Sequence, residues 1–200
     1  MTTTVSNERV KGRAERSTFR IPLGRRIWDP VLHFLLWLFV RVEVEGKENI
    51  PPEGPLILIL NHVHWLDPVV LVANIPRYAV PLSKAEAFEW PVVGQLMKWY
   101  KVIPIHRGAL DMAAVRWADQ LLAAGQALII APEGTRSRTG GLQRGKEGVV
   151  FFARRHDPII VPVAVTGTLA FDENFKRRRL TPIHIKIGRP FKFRWPASKR

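Results

Sequence analysis

The sequence predicts an α/β protein: a central, mostly parallel or mixed sheet flanked by helices and preceded by an apolar N-terminal helix. Three observations carry this. From about residue 46 onward, short strand-like apolar blocks alternate with blocks of helical periodicity, the pattern of a layered α/β architecture. Leu56-Ile57-Leu58-Ile59-Leu60 is apolar at every position, as a strand covered on both faces requires. The 200 residues, 46% hydrophobic and 24% charged, suit one compact core and exclude a disordered tail protein.

The elements follow in order. Met1 to Arg26 is basic, with Arg9, Lys11, Arg13, Arg16, Arg20, Arg25 and Arg26 against Glu8 and Glu15. Ile27 to Val40 is then apolar, and apolar all round from Val31, as in a buried or lipid-facing helix. Asp29 reads as its N-cap and Pro30 as its first helical residue. At ~1.5 Å per residue such a helix reaches roughly 21 Å, short of the ~30 Å of hydrocarbon that a span must cross. An interfacial or re-entrant anchor is therefore expected, with Trp28, Phe34, Trp37 and Phe39 beside Arg25, Arg26 and Arg41 as an aromatic and basic belt. A core helix is the alternative. No small-residue cleavage site follows Val40, which argues against a signal peptide. Strands are expected at Leu56 to Leu60, Tyr78 to Leu82, Val102 to Ile105, Ala127 to Ala131, Ile159 to Val165 and Ile183 to Ile187. Helices are expected at Val69 to Ala73, Pro91 to Trp99, Asp111 to Ala124 and Lys146 to Arg155. No repeat or linker breaks this series. The expected organisation is residues 1–45 as basic segment and membrane anchor, and 46–200 as one domain.

Charge limits the partners. Lys+Arg 31 against Asp+Glu 17 gives +14 and a pI near 11.0, so the outer field attracts nucleic acid, acidic lipid or phosphorylated substrates. A nucleic-acid binder, prompted by the run Lys176 to Arg179, lacks any recognisable reading motif, and nucleic acid is not an expected partner. With no cysteine, a disulfide framework, a thiolate nucleophile and cysteine-ligated metal are excluded.

The chemistry concentrates where strands stop, which is where open α/β sheets place ligands. The run Leu56 to Leu60 ends in Asn61-His62-Val63-His64-Trp65-Leu66-Asp67-Pro68. A single helix would not put His62 and Asp67 on one face, but a strand-to-helix turn can. Asp67-Pro68 reads as an N-cap followed by the first helical residue, with one carboxylate oxygen capping and the other orienting His62 as a base. Ala131-Pro132-Glu133-Gly134-Thr135-Arg136-Ser137 follows another strand: Pro132 stops it, Gly134 permits a tight path, and Thr135 and Arg136 offer donors. Arg107, after Pro104-Ile105-His106, and Arg136 can each grip a phosphate through a planar fork, with Lys84 as a third cation.

These residues resemble the glycerolipid acyltransferases of the lysophosphatidic acid acyltransferase type. Asn61-His62-x-x-x-x-Asp67 matches their H-x4-D block. The match continues through Lys84-x-Glu86 with Pro91-x-x-Gly94, Ile105-x-Arg107, Pro132 to Ser137, Lys146-x-Gly148 and Val161-Pro162-Val163, from roughly Gly46 to Pro190. The resemblance implies transfer of an acyl chain from acyl-CoA or acyl-carrier protein to a glycerophosphate hydroxyl, giving phosphatidic acid. It implies His62 as base, Asp67 as its orienter, and Lys84, Arg107 and Glu133, Gly134, Thr135 and Arg136 as the acceptor site. Neither metal nor cofactor is implied. The setting it implies is the cytoplasmic face of the cell membrane, held there as a monotopic or peripheral protein.

The chain departs from the family pattern in two places. Many members carry Gln-Ser where this chain has Val63-His64, and Phe where it has Ala131. His64 either perturbs the base by proximity or faces solvent, and the second is expected. The alternatives on the function are acyl transfer to another lysolipid or lipid-like acceptor, and a metal-dependent hydrolase using His62, His64 and Asp67.

Overall fold

The computed structural model describes residues 23–106, 111–137 and 139–195. In chain order these form α1 (Leu23–Phe39), β1 (Val40–Glu45), β2 (Leu56–Leu60), α2 (Leu66–Asn74), β3 (Ala79–Lys84), α3 (Pro91–Trp99) and β4 (Ile103–Ile105). Then come α4 (Met112–Ala123), β5 (Ala127–Ile130), α5 (Gly148–His156), β6 (Ile159–Thr166), α6 (Phe171–Lys176) and β7 (Thr181–Ile187). The strands make one seven-stranded sheet in the order β1-β7-β6-β2-β5-β3-β4. From β6 to β4 every pairing is parallel, β7 runs antiparallel to β6, and β1 is parallel to β7.

Strand periodicity decides the packing. Leu56, Leu58 and Leu60 face one layer with α2, while Ile57 faces the other with α4 and α5, so β2 is apolar throughout because both its faces are core. Truncating fully buried Leu58 to Ala would cost about 2–5 kcal/mol. By contrast β7 alternates, burying Thr181, Ile183, Ile185 and Ile187 and exposing Pro182, His184 and Lys186. Beyond it β1 carries charges along the open edge, and its Glu43 and Glu45 pair across to His184 and Lys186, which discourages edge-to-edge association. Pro162 is tolerated inside β6 because pairing with β7 begins only at Val163.

The N-terminal helix differs from expectation. It starts by Leu23, so Pro30 lies inside it and removes one backbone donor there, and Asp29 is not its cap. Asp29 instead accepts a hydrogen bond from the Tyr100 hydroxyl (2.6 Å), and Trp28 stacks on Trp99 with ring centroids 4.3 Å apart. Its all-round apolarity is divided: Trp28, Leu32 and Leu36 pack on the core, while Val31, Phe34, Leu35, Trp37, Leu38 and Phe39 are exposed. Trp37 is 70% exposed and Phe34 58%. The described part of α1, 17 residues, is about 25 Å long, and no helix among the described residues is long and apolar enough to cross a membrane. Val40 opens a strand of the sheet, and α6 lies in a stretch where the sequence suggested no element.

Candidate functional site

Parallel pairing brings the carboxyl ends of β6, β2, β5, β3 and β4 to one edge, and the residues singled out by sequence follow these ends. At the centre, His62 Nδ1 lies 3.1 Å from Asp67 Oδ2. A carboxylate can only accept, so Nδ1 carries the proton and Nε2 is left with a lone pair. The same Oδ2 accepts from the backbone N–H groups of Val63 (2.8 Å) and His64 (2.7 Å), and Oδ1 accepts from the Thr168 hydroxyl at 2.6 Å. Asp67 is completely buried. These donors compensate its charge, without which a buried carboxylate would be costly.

The local geometry corrects one expectation. Helix α2 begins at Leu66 after Trp65, so Asp67 lies in its first turn and is not the N-cap. Its carboxylate folds back over the preceding turn, fixing that turn and the imidazole with one oxygen while Thr168 holds the other. Thr168 was missed from sequence. The signal was available: it follows Gly167 at the end of β6, the strand beside β2, where the strand-end rule also applies.

The loop after β5 reaches the same place. Ser137 N–H donates to the His62 carbonyl (2.7 Å), tying the Glu133-to-Ser137 segment to the histidine's own backbone. Gly134 has φ +69 and its N–H closes a turn on Ala131 O at 3.0 Å. The positive φ favours glycine there, and a Cβ would lie 3.0 Å from Cε and Nζ of the Lys146 side chain that crosses the turn. Lys146 N–H donates to Pro132 O (2.8 Å). Thr135 and Arg136 are exposed, whereas Glu133 is buried and its Oε2 meets no hydrogen-bond partner among the described residues. Lys84 is exposed at the end of β3, in register with Ile105 at the end of β4. Arg107 lies outside the described residues.

The backbone N–H groups of Gly134 and Asn61 are engaged, with Ala131 O and Val163 O respectively. One further expectation changes. His64 does not face solvent: it is 7% exposed, with Nδ1 accepting from Leu66 N–H and Nε2 toward Asp172 Oδ2, each at 3.4 Å. Its two nitrogens are thus directed away from a site shared with His62 and Asp67, and no group of three His, Asp or Glu suited to a metal occurs among the described residues. A narrow cleft of about 30 Å³ adjoins His62 between Leu60, Pro68, Pro81, Leu82, Ile129 and Ala131. A wider groove of about 420 Å³ lies elsewhere, between α1, β1 and Asn74 of α2.

A second His–Asp pair follows β4, three strands along the sheet from β2. His106 Nδ1 lies 2.9 Å from Asp111 Oδ2, which also accepts from His106 N–H, while Asp111 Oδ1 caps α4 through Ala113 and Ala114 N–H. These donors hold the Asp111 carboxyl well below the usual carboxylate range, the His106 backbone N–H foremost.

The chain belongs to the acyltransferases: the Acyltransferase family model matches residues 41–166, a stretch that contains the His62–Asp67 pair and the Glu133-to-Arg136 turn. Among its relatives, a 1-acyl-sn-glycerol-3-phosphate acyltransferase of Cocos nucifera is 34% identical over 179 residues, covering 86% of this chain and 57% of that protein. A protein of the same name from Borreliella burgdorferi is 30% identical over 68% of this chain and 56% of its own length. The chain spans about half the length of the relatives it matches. The crystal structure of PlsC, the 1-acyl-sn-glycerophosphate (LPA) acyltransferase from Thermotoga maritima, superposes with a TM-score of 0.67 at 23% identity. It covers 87% of this chain and 71% of PlsC, and shows the fold.

Proposed function

We propose that this protein transfers a fatty acyl group from acyl-CoA or acyl-carrier protein to the free hydroxyl of 1-acylglycerol-3-phosphate, giving phosphatidic acid. The observation that carries this reading is the His62–Asp67 pair, 3.1 Å apart, with the aspartate fully buried and both its oxygens accepting hydrogen bonds. His62 Nε2 takes the hydroxyl proton as the oxygen attacks the thioester carbonyl. The tetrahedral intermediate then breaks the C–S bond and the departing thiolate is protonated, leaving ester and thiol. Asp67 keeps the imidazole in the reactive tautomer and stabilises the imidazolium. No residue is acylated. Lys84, Arg107 and Arg136 hold the acceptor phosphate, with Glu133, Gly134 and Thr135 shaping the loop around it. The relatives named 1-acyl-sn-glycerol-3-phosphate acyltransferase, those of Cocos nucifera and Borreliella burgdorferi among them, support this acceptor.

A membrane surface is the proposed setting, with residues 1–45 as the attaching segment and 46–200 as the acyltransferase domain, the two joined by β1 (Val40–Glu45), which lies in the domain's sheet. The exposed apolar side of α1, continued by Phe175 in contact with Phe39 (5.1 Å), supports an interfacial position, and the net charge of +14 favours anionic lipid. On this reading the protein works at the cytoplasmic face of the cell membrane. Because Trp28, Leu32 and Leu36 of α1 cover the core, deletion of the helix would damage folding, so Phe34→Ser with Trp37→Ser is the informative change. It should weaken binding to anionic vesicles while leaving circular dichroism unchanged; undiminished binding overturns the membrane reading.

The activity is tested by incubating the purified protein with acyl-CoA or acyl-carrier protein and a panel of lysolipids. Transfer to 1-acylglycerol-3-phosphate is expected. Preferential transfer to a lysolipid lacking the phosphomonoester overturns the acceptor assignment, and transfer by His62→Ala at the original kcat overturns the mechanism.

A further inference from the structure

His64 stands in the catalytic turn, yet its ring takes no part in the reaction described above. It is 7% exposed and lies between Trp65 and Phe171, with ring centroids 5.4 and 6.0 Å away. Its backbone N–H donates to Asp67 Oδ2. Its Nδ1 accepts from Leu66 N–H, the first donor of α2, which has no partner within the helix. An acceptor serving the N–H two residues on is the task that Asn and Asp side chains perform in tight turns. Imidazole can do this only if Nδ1 is unprotonated, and a ring turned toward a carboxylate at Nε2 is held in that tautomer. Asp172 Oδ2 supplies the carboxylate. It belongs to α6, whose Phe171 stacks on Phe175 at 5.8 Å, and Phe175 meets Phe39 of α1.

We propose that His64 is a positioning residue for acyl transfer. Held by Asp172 in the Nε2–H tautomer, its ring fixes the turn from Val63 to Leu66, and thereby the N–H groups that aim Asp67 at His62. This rests on the acyl-transfer reading of His62 and Asp67. The effect is on turnover, because neither His64 nor Asp172 is proposed to touch the acceptor.

The test is steady-state kinetics of the full chain on acyl-CoA and 1-acylglycerol-3-phosphate, with circular dichroism at the assay temperature to measure the folded fraction. His64→Ala should lower kcat about tenfold with KM for the acceptor unchanged, as loosening of a reactive geometry does. His64→Asn, which restores an acceptor for Leu66 N–H but does not reach Asp172, should recover most of the loss. Asp172→Ala, a change at an exposed side chain, should lower kcat about threefold in the natural background and not at all beside His64→Asn. An unchanged kcat in His64→Ala overturns the proposal, as does a fall that the unfolded fraction accounts for or one that Asn does not relieve. If His64→Ala does not fold, the Asp172 cycle decides, and an equal effect in both backgrounds overturns it. His62→Ala is measured in parallel: a retained kcat there overturns the underlying mechanism as well, whereas loss there with no loss in His64→Ala overturns only the role of His64.

Discussion

The sheet carries two His–Asp pairs with the same spacing and the same atoms in contact, one after β2 and one after β4. His62 and Asp67 are 3.1 Å apart, His106 and Asp111 2.9 Å. The shorter contact is not the better candidate. Asp67 is fully buried, and its oxygens meet two turn N–H groups and the Thr168 hydroxyl, so the imidazole it orients is fixed to the body of the protein. His106 has its side chain 79% exposed, and the principal task of Asp111 is to cap α4. Beside His62 the Glu133-to-Ser137 loop closes on the histidine's own carbonyl. Spacing of five residues thus produces a contact in both places. Burial and the neighbouring strands hold only one of them rigidly, the one proposed as the base.

The largest effect that would break this comparison comes from removing each imidazole in turn. His62→Ala should lower kcat by roughly 10²- to 10⁴-fold, the range for loss of a general base, while His106→Ala should change it only a few-fold. Equal losses would remove the distinction. Next comes Thr168→Val, which leaves a buried carboxylate oxygen without its donor and should cost about 1–3 kcal/mol of stability, read from denaturant midpoints, together with a fall in kcat. The corresponding hydroxyl is not needed at Asp111, so a neutral result would show that Asp67 is held by the turn alone. Arg136→Ala should then raise KM for the phosphorylated acceptor on the order of tenfold with little change in kcat, since the phosphate is a dianion in both ground and transition states. An equal effect on a neutral acceptor of the same acyl length would assign Arg136 to loop structure.

The smallest effect concerns Asp111 and pH. Its folded carboxyl titrates below the ordinary value of about 3.9, so it contributes stability above that value, and the contribution is lost as pH falls toward the folded value. The stability gap between the natural protein and Asp111→Asn should be constant from neutral pH to about pH 5 and close progressively below about pH 4. Denaturation midpoints across this range check it, and a gap that widens in acid would reverse the sign assigned to Asp111.

By itself the sequence determined the layered α/β class, the buried character of Leu56 to Leu60 and the family-bearing positions His62, Asp67 and Glu133 to Arg136. All of these are local signals: a continuous apolar run, glycine and proline punctuation, and polar clusters where strands stop. The contacts that distinguish one cluster from another cross the sheet, and no local pattern encodes them. Thr168 reaches Asp67 from 101 residues away, Asp172 reaches His64 from 108, and Ser137 reaches His62 through the pairing of β2 with β5. The solvent-facing reading of His64 failed for this reason, since the ring is covered by Phe171 of a helix that the sequence did not suggest. The all-round apolarity of the N-terminal helix likewise could not say which side meets the core. Only the packing of Trp28 on Trp99 and of Leu32 and Leu36 on the core decided it, because a helix exposes whichever face its neighbours leave uncovered.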